Sequence, residues 1–324
     1  MQKSKNSDTH TISYSQMKKF VSCPKSWEYK YVQGHKPPTD SIHTIGGTAF
    51  HETIQHYLKV LYNQGKEEAK VINLKQMFKE RLQETFKKTN ENAPWSDTDE
   101  TPTTARELAE YFKKTEKIFD EFKKYRDYYF DPSFTELVGI EVPIEEEVKD
   151  GVVFIGYLDV ILKEKHRESY KIVDIKTSTS GWNKWDKQEP ERVNQLLAYR
   201  DFYANKLGVK KEQVDVSYWI AQREIDPRWD SGRINEWSPP TTKEAHEQVD
   251  DWLNEFLRTG FPGGRKTTEP MEKRPEKFKC AFCPFSSQFN GDSKYGVCDQ
   301  DGERFDSYPS GMKGYIDDKW IDED

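Results

Sequence analysis

The sequence predicts an α/β fold, with a sheet core and a helical insertion or cap. Three observations carry this. Helix-period segments fill the first 130 residues, and the hydrophobic period then shortens to that of strands. Three strand-like runs follow in succession, ELVGIEVPIEEEV, GVVFIGYLDVIL and YKIVDIKTS. A helical run, VNQLLAYRDFYANKLG, then separates these from a further strand, VDVSYWIAQ.

Taken in order, SYSQMKKFVSCPKSWEYKYV reads as a short amphipathic helix capped by Ser13 or Ser15, broken at Pro24 and followed by another helical turn. HKPPTDSIHTIGG reads as a loop, with a helix from near Gly47 to Gly65. Two more helices are expected from Leu74 to about Thr89 and from Thr104 to about Tyr128, joined by the polar and mobile connection TNENAPWSDTDETPT. In the first strand Val138, Ile140, Val142 and Ile144 share a face. GVVFIGYLDVIL is apolar enough to be a central strand covered on both sides. REIDPRWDSGRINEWSPP reads as a strand-flanked excursion and TKEAHEQVDDWLNEFLRTG as a capped amphipathic helix. The Asp- and Gly-rich end is expected to fray.

Composition sets bounds. Of 324 residues, 34% are hydrophobic and 33% charged, so much of the chain is surface, while 14% aromatic residues argue for a folded protein. The polar start and the lack of a long apolar run predict a cytoplasmic protein without a membrane span. A net charge of -7 argues against a uniformly basic surface, but leaves room for a local basic groove beside a carboxylate cluster. Oligomeric state has no sequence signal.

Strand geometry places the chemistry. In YKIVDIKTS, Asp174 and Lys176 lie two residues apart and share a face. Asp159 interrupts the apolar run GYLDVIL, a costly position for a carboxylate unless it is paired or metal-bound. Adjacent antiparallel strands turning at KEKHRES would bring Asp159 and Asp174 within a few ångströms. Two such carboxylates call for a cation, and oxygen ligands suit Mg²⁺ or Mn²⁺. Lys176 would orient water or stabilise charge on an attacked phosphodiester; a buried Asp159–Lys176 ion pair is the plainer alternative. His51 shares a helical face with Gln55 and offers a further ligand. HETIQH has three residues between Glu52 and His56, not the two of a zinc-protease HExxH. Gln195 and Tyr199 share a face of the later helix, where both could hold a phosphate or the loop around Lys176. Trp182 and Trp185 could stack on bases or simply pack.

Four cysteines stand at 23, 280, 283 and 298. Together they could bind a [4Fe-4S] cluster or Zn²⁺, clipping the C-terminal segment to the N-terminal helices; Cys23 could instead be a small buried hydrophobe.

These pieces resemble the RecB-like branch of the PD-(D/E)XK nuclease superfamily, which includes AddAB-type nuclease domains and CRISPR-associated exonucleases. The matching motifs are GTAFHE, GYLDVIL, VDIKTS and QLLAY in that order. SYSQMKKFVSCPKSWEY and the three later cysteines match the iron–sulfur members. Leu158 stands where the family name has proline, and Cys298 follows Cys283 at a longer spacing than in those members. The resemblance implies a restriction-endonuclease-like core, a central mixed sheet flanked by helices, with a helical N-terminal insertion and a cysteine-clipped C-terminal segment. It divides the chain into 1–45, carrying the first cysteine; 46–130, carrying His51; a nuclease core, 131–260; and a cysteine segment with an acidic tail, 261–324. It implies a metal-dependent DNA exonuclease acting on single strands or ends in recombination, repair, viral or CRISPR DNA processing. His51, Asp159, Asp174 and the Ile175 carbonyl would be metal ligands, Lys176 would position water, and Gln195 and Tyr199 would form the accessory QxxxY motif. Cys23, Cys280, Cys283 and Cys298 would hold [4Fe-4S], with zinc the alternative. No P-loop is present, so a helicase or recombination protein would be a separate partner. Two competing readings are an inactive DNA-binding or recruitment subunit and an enzyme acting on another phosphoester.

Overall fold

The computed structural model describes residues 9–35, 41–91, 103–225, 232–276, 279–280, 282–286 and 298. Most of the expected polar connection TNENAPWSDTDETPT, at 92–102, and the tail after Cys298 lie outside them. In chain order the elements are β1 (His10–Ile12), α1 (Tyr14–Ser22), α2 (Pro24–Trp27) with a π turn at Glu28–Val32, α3 (Ile42–Asn63), α4 (Lys66–Lys70), α5 (Leu74–Glu91) and α6 (Ala105–Tyr129). There follow β2 (Thr135–Lys149), β3 (Val152–Glu164), β4 (Tyr170–Ser178), α7 (Lys184–Gln188), α8 (Pro190–Leu207), β5 (Val214–Gln222), β6 (Ile234–Trp237) and α9 (Lys243–Gly260). The chain divides into two units. One comprises Met1–Tyr14 and Thr39–Glu255, the other Ser15–Pro38 and Phe256–Asp324.

The larger unit holds a mixed six-stranded sheet of order β1-β3-β4-β5-β6, with β2 also paired to β3. β2, β3 and β4 form an antiparallel meander, β4 and β5 run parallel, and β1 lies parallel to the start of β3. The parallel β4–β5 pair requires a crossover, which α7 and α8 supply. α8 begins with proline in its first turn and ends at Gly208, whose φ of 67° suits a residue without Cβ. α6 starts with a capping box in which Thr104 and Glu107 satisfy each other's backbone N–H groups.

Helices α3, α5 and α6 pack on one face of the sheet, over Val160, Leu162, Val173, Ile175 and Trp219. Phe50, Phe78, Phe119 and Phe122 meet there, each almost wholly buried. Burying each such side chain contributes about 1.5–3 kcal/mol, so α3 is held rigidly over the strands that carry the acidic residues.

Two expectations change. α3 begins at Ile42, a turn and more before Gly47, because Gly46 and Gly47 lie inside the helix. A Cβ at Gly46 would overlap the Tyr111 ring of α6, so that glycine allows a close helix approach. β3 is central, yet it is not covered on both sides throughout. Val152, Phe154, Gly156, Leu158 and Val160 are buried, whereas Val153, Ile155, Tyr157 and Asp159 are not.

In the smaller unit, the residues around α1 and α2 are joined to the segment after α9. Lys25 N–H donates to the Glu272 carbonyl, Arg274 to the Val21 carbonyl, and Met271 N–H to Glu28. Phe20, Trp27, Phe256 and Phe261 form its aromatic core. Among the described residues no helix is long and apolar enough to cross a membrane.

Candidate active site

The site grows from a fork in the sheet. The β3–β4 ladder runs from Lys163 opposite Tyr170 to Val160 opposite Val173 and stops there. One step further in that register stands Asp159 opposite Asp174, two carboxylates whose repulsion opposes close pairing. Instead of a ladder bond, Asp159 Oδ2 accepts the Ile175 N–H at 2.8 Å. On the other side of β3, Ile140 pairs with Val160 and Val142 with Leu158, which puts Glu141 across from Asp159.

Helix α3 brings His51 over this fork. Its Nδ1 lies 3.4 Å from Asp159 Oδ2, and the ring also hydrogen-bonds the Ile175 backbone. One turn on, the buried amide of Gln55 donates to Glu141 Oε1 at 2.6 Å. Ligand atoms of His51, Glu141 and Asp159 all lie within 4.8 Å of one another, so the three could share a metal ion.

Lys176 and Asp174 complete the fork, with Nζ 2.6 Å from Asp174 Oδ1. Gln195 Nε2 lies 3.4 Å from both Asp174 Oδ2 and the Tyr199 hydroxyl, and Tyr218 OH approaches Gln195 Oε1 at 3.3 Å. His51, Asp159, Asp174, Lys176, Gln195 and Tyr199 thus lie on one chain of contacts, with the Ile175 backbone at its middle.

The electrostatics follow from burial and crowding. Burial, aided by the Lys176 charge, pushes the His51 imidazole down to about 4, which leaves a lone pair for a ligand at neutral pH. Burial and the neighbouring Asp174 raise the Asp159 carboxyl well above its ordinary value. For Lys176 burial alone would lower the pKa, but the carboxylates of Asp174 and Asp159 outweigh it and hold the ammonium charged. Burial, then Asp174, raises the Tyr199 phenol, keeping it a neutral hydrogen-bonding group. A buried carboxylate pushed toward protonation beside a second carboxylate and a neutral imidazole fits a divalent cation, which would neutralise the excess.

The family pattern described as the PD-(D/E)XK nuclease superfamily matches residues 11–288. The chain belongs to that superfamily. No curated protein matches this member. A solved structure similar to it is the crystal structure of SSO0001, at 12% identity over 84% of this chain and 92% of that one, with a TM-score of 0.28.

Glu141 is the site residue that sequence reasoning missed in this superfamily member. It lies in the acidic run EVPIEEEV, where nothing distinguishes it from Glu145 to Glu147. The available signal was register, since the β2–β3 hairpin sets it against Asp159.

The expectation of a [4Fe-4S] cluster, or zinc, on the cysteines is corrected. Among the described residues, the only group of three or more ligand-bearing side chains with atoms so close together is His51, Glu141 and Asp159. Cys23, Cys280, Cys283 and Cys298 form no such group and no disulfide. Two of the sulfurs have local partners. Cys280 Sγ accepts the Glu276 N–H at 3.4 Å, and Cys283 Sγ lies 4.0 Å from Ser26 Oγ. The joining of Ser15–Pro38 to the C-terminal segment rests on the hydrogen bonds and aromatic packing described above. Of the two tryptophans singled out, Trp182 packs against Tyr218 and Trp237 under the Arg192 guanidinium, while Trp185 is 67% exposed.

Proposed function

We propose that the protein is a RecB-like, divalent-metal-dependent deoxyribonuclease that removes nucleotides from single-stranded DNA or from DNA ends. The observation that carries this is the convergence of His51, Glu141 and Asp159 beside the Asp174–Lys176 pair at the sheet fork. His51, Asp159, Asp174 and the Ile175 carbonyl would hold Mg²⁺ or Mn²⁺, with Glu141 as a further carboxylate. When bound, the ion supplies Lewis acidity toward a phosphate oxygen and toward the attacking water.

The chain's own residues do the rest. Lys176, kept charged by Asp174, orients the water and offsets the negative charge that builds on the phosphate during attack. Hydrolysis forms a phosphorus–oxygen bond to water and breaks the one to the leaving sugar oxygen. Gln195 fixes the Asp174 carboxylate and ties it to Tyr199, so that the acid keeps its direction through the reaction. Such an enzyme would work in the cytoplasm in recombination, repair, viral or CRISPR DNA processing, on strands exposed by a helicase or recombination partner.

The test is cleavage of end-labelled single-stranded and duplex DNA with Mg²⁺, Mn²⁺ or EDTA. Shortening of labelled strands with a divalent ion is expected, and Asp174→Ala or Lys176→Ala should lower the rate by about 10²–10³-fold with an unchanged circular dichroism spectrum. No cleavage with either ion, or wild-type rates in either variant, would contradict the proposal.

A further inference from the structure

Just beyond β5, Arg223 is only 5% exposed, yet no carboxylate pairs with it among the described residues. Its guanidinium donates to the Tyr111 hydroxyl at 3.1 Å and to Thr179 Oγ1 at 2.6 Å, and lies 3.3 Å from His43 Nδ1. It also stacks on the Tyr111 ring, 4.6 Å from the centroid. None of these partners is a carboxylate: they are two hydroxyls, an imidazole nitrogen and a ring face. The nearest acid in sequence, Glu224, is taken by Lys114 at 2.6 Å.

A buried guanidinium without a counter-charge is expensive, and the cost is relieved when an anion joins it. The surroundings add positive potential. His43 belongs to helix α3, whose first turn contains no acidic residue, and Ser41 at its N-cap makes no side-chain cap bond. Neither Arg223 Nε nor the second hydrogen of Nη1 has an acceptor among the described residues. Each of these N–H groups is a charge-assisted donor suited to an oxyanion oxygen, and Thr179 and His43 already hold the guanidinium in place through Nη2.

The position relates this pocket to the fork. Thr179 follows Lys176 by three residues, and Thr177 bonds the same Tyr111 hydroxyl. His43 precedes His51 by eight residues on α3, which is about 12 Å along the axis. Phosphates recur about every 3.4 Å along a stacked strand, so the two places lie within a few nucleotides of each other.

We infer that Arg223, with Thr179 and the first turn of α3, forms a second phosphate-binding pocket that holds the DNA strand a few nucleotides from the bond being cut. This rests on the nuclease reading for the identity of the strand, but the oxyanion chemistry is its own. The phosphate could be a strand terminus or an internal diester.

The test needs no catalysis. Metal-free protein in EDTA at constant ionic strength is titrated with inorganic phosphate and followed by thermal shift and ³¹P line broadening, for wild type, Arg223→Gln and Arg223→Lys. Wild type should bind; Arg223→Gln should bind about tenfold or more weakly; Arg223→Lys should fall between them. Fluorescence anisotropy then compares an oligonucleotide with a 5′-phosphate, one with a 3′-phosphate and one with neither. Preference for a phosphorylated end identifies a terminal phosphate. Equal affinities that all drop in Arg223→Gln identify an internal one. Absence of phosphate binding in wild type overturns the inference whatever the variants do, as does an Arg223→Gln protein that binds like wild type. Loss of phosphate binding in Arg223→Gln, in a protein that cuts no DNA with either metal, leaves the pocket standing and removes the nuclease reading.

Discussion

Glu141 takes a backbone φ of 51°, in the left-handed region that non-glycine residues rarely occupy. Such a conformation costs about 1–2 kcal/mol, so something must hold it, and the buried Gln55 amide does so at 2.6 Å. With one carboxylate oxygen fixed by Gln55, the residue is aimed toward His51 and Asp159. Gln55 should therefore act as a positioning residue. Gln55→Leu is expected to weaken Mn²⁺ binding about 10–100-fold, measured by calorimetry, while the melting temperature stays close to that of wild type. An unchanged Mn²⁺ affinity would show that Glu141 holds its place without the amide. Asp159, Asp174 and Lys176 were legible in the sequence because charged residues stand out in apolar strands. Glu141 was not, because its value depends on the cross-strand partner rather than on its neighbours in the chain.

Gly46 shows the same limit for whole elements. Two adjacent glycines after a polar, proline-containing stretch look like the end of a loop, so the sequence predicts a helix that starts only near the second, Gly47. Instead α3 runs through both, and the absent Cβ at Gly46 leaves room for the Tyr111 ring of α6. Gly46→Ala should cost about 1–3 kcal/mol from overpacking, read from denaturant melts. The same change in a Tyr111→Leu background should cost clearly less. Equal costs in both backgrounds would mean that the helix approach does not set the requirement. β2 to β5 and α8 could be read directly, since β2 alternates, β3 to β5 are long apolar-rich runs and α8 is a long helical run. β1 could not be read, since His10–Ile12 is too short to show a period and its pairing with Val152–Phe154 is a tertiary event. The fork likewise follows from where the β3–β4 ladder stops, which depends on charge repulsion between strands that only register brings together.

Across the whole molecule, the smaller unit is discontinuous and must bring residues near 28 and 271 together across most of the chain. Closing so long a loop carries an entropic cost, although that cost grows only slowly with length. The Glu28 carboxylate is one of the groups that meet it, receiving Lys25 Nζ at 2.9 Å, Gln33 Nε2 at 2.5 Å and the Met271 N–H at 2.7 Å. Burial by itself would raise its pKa, but the Lys25 and Met271 hydrogen bonds, together with Gln33, bring it below the ordinary 4.5. A carboxyl depressed in the folded state contributes stability that is fully present above its unfolded pKa and is lost as pH falls through the folded value. Hydrogen exchange of peptides spanning 15–35 should thus accelerate as pH drops below about 4.5, after correction for the intrinsic pH dependence of exchange. In Glu28→Gln the same peptides should exchange faster at neutral pH, by an amount corresponding to about 2 kcal/mol, and should show less of the acid-dependent step. A step of equal size in both proteins would assign the acid sensitivity to other carboxyls.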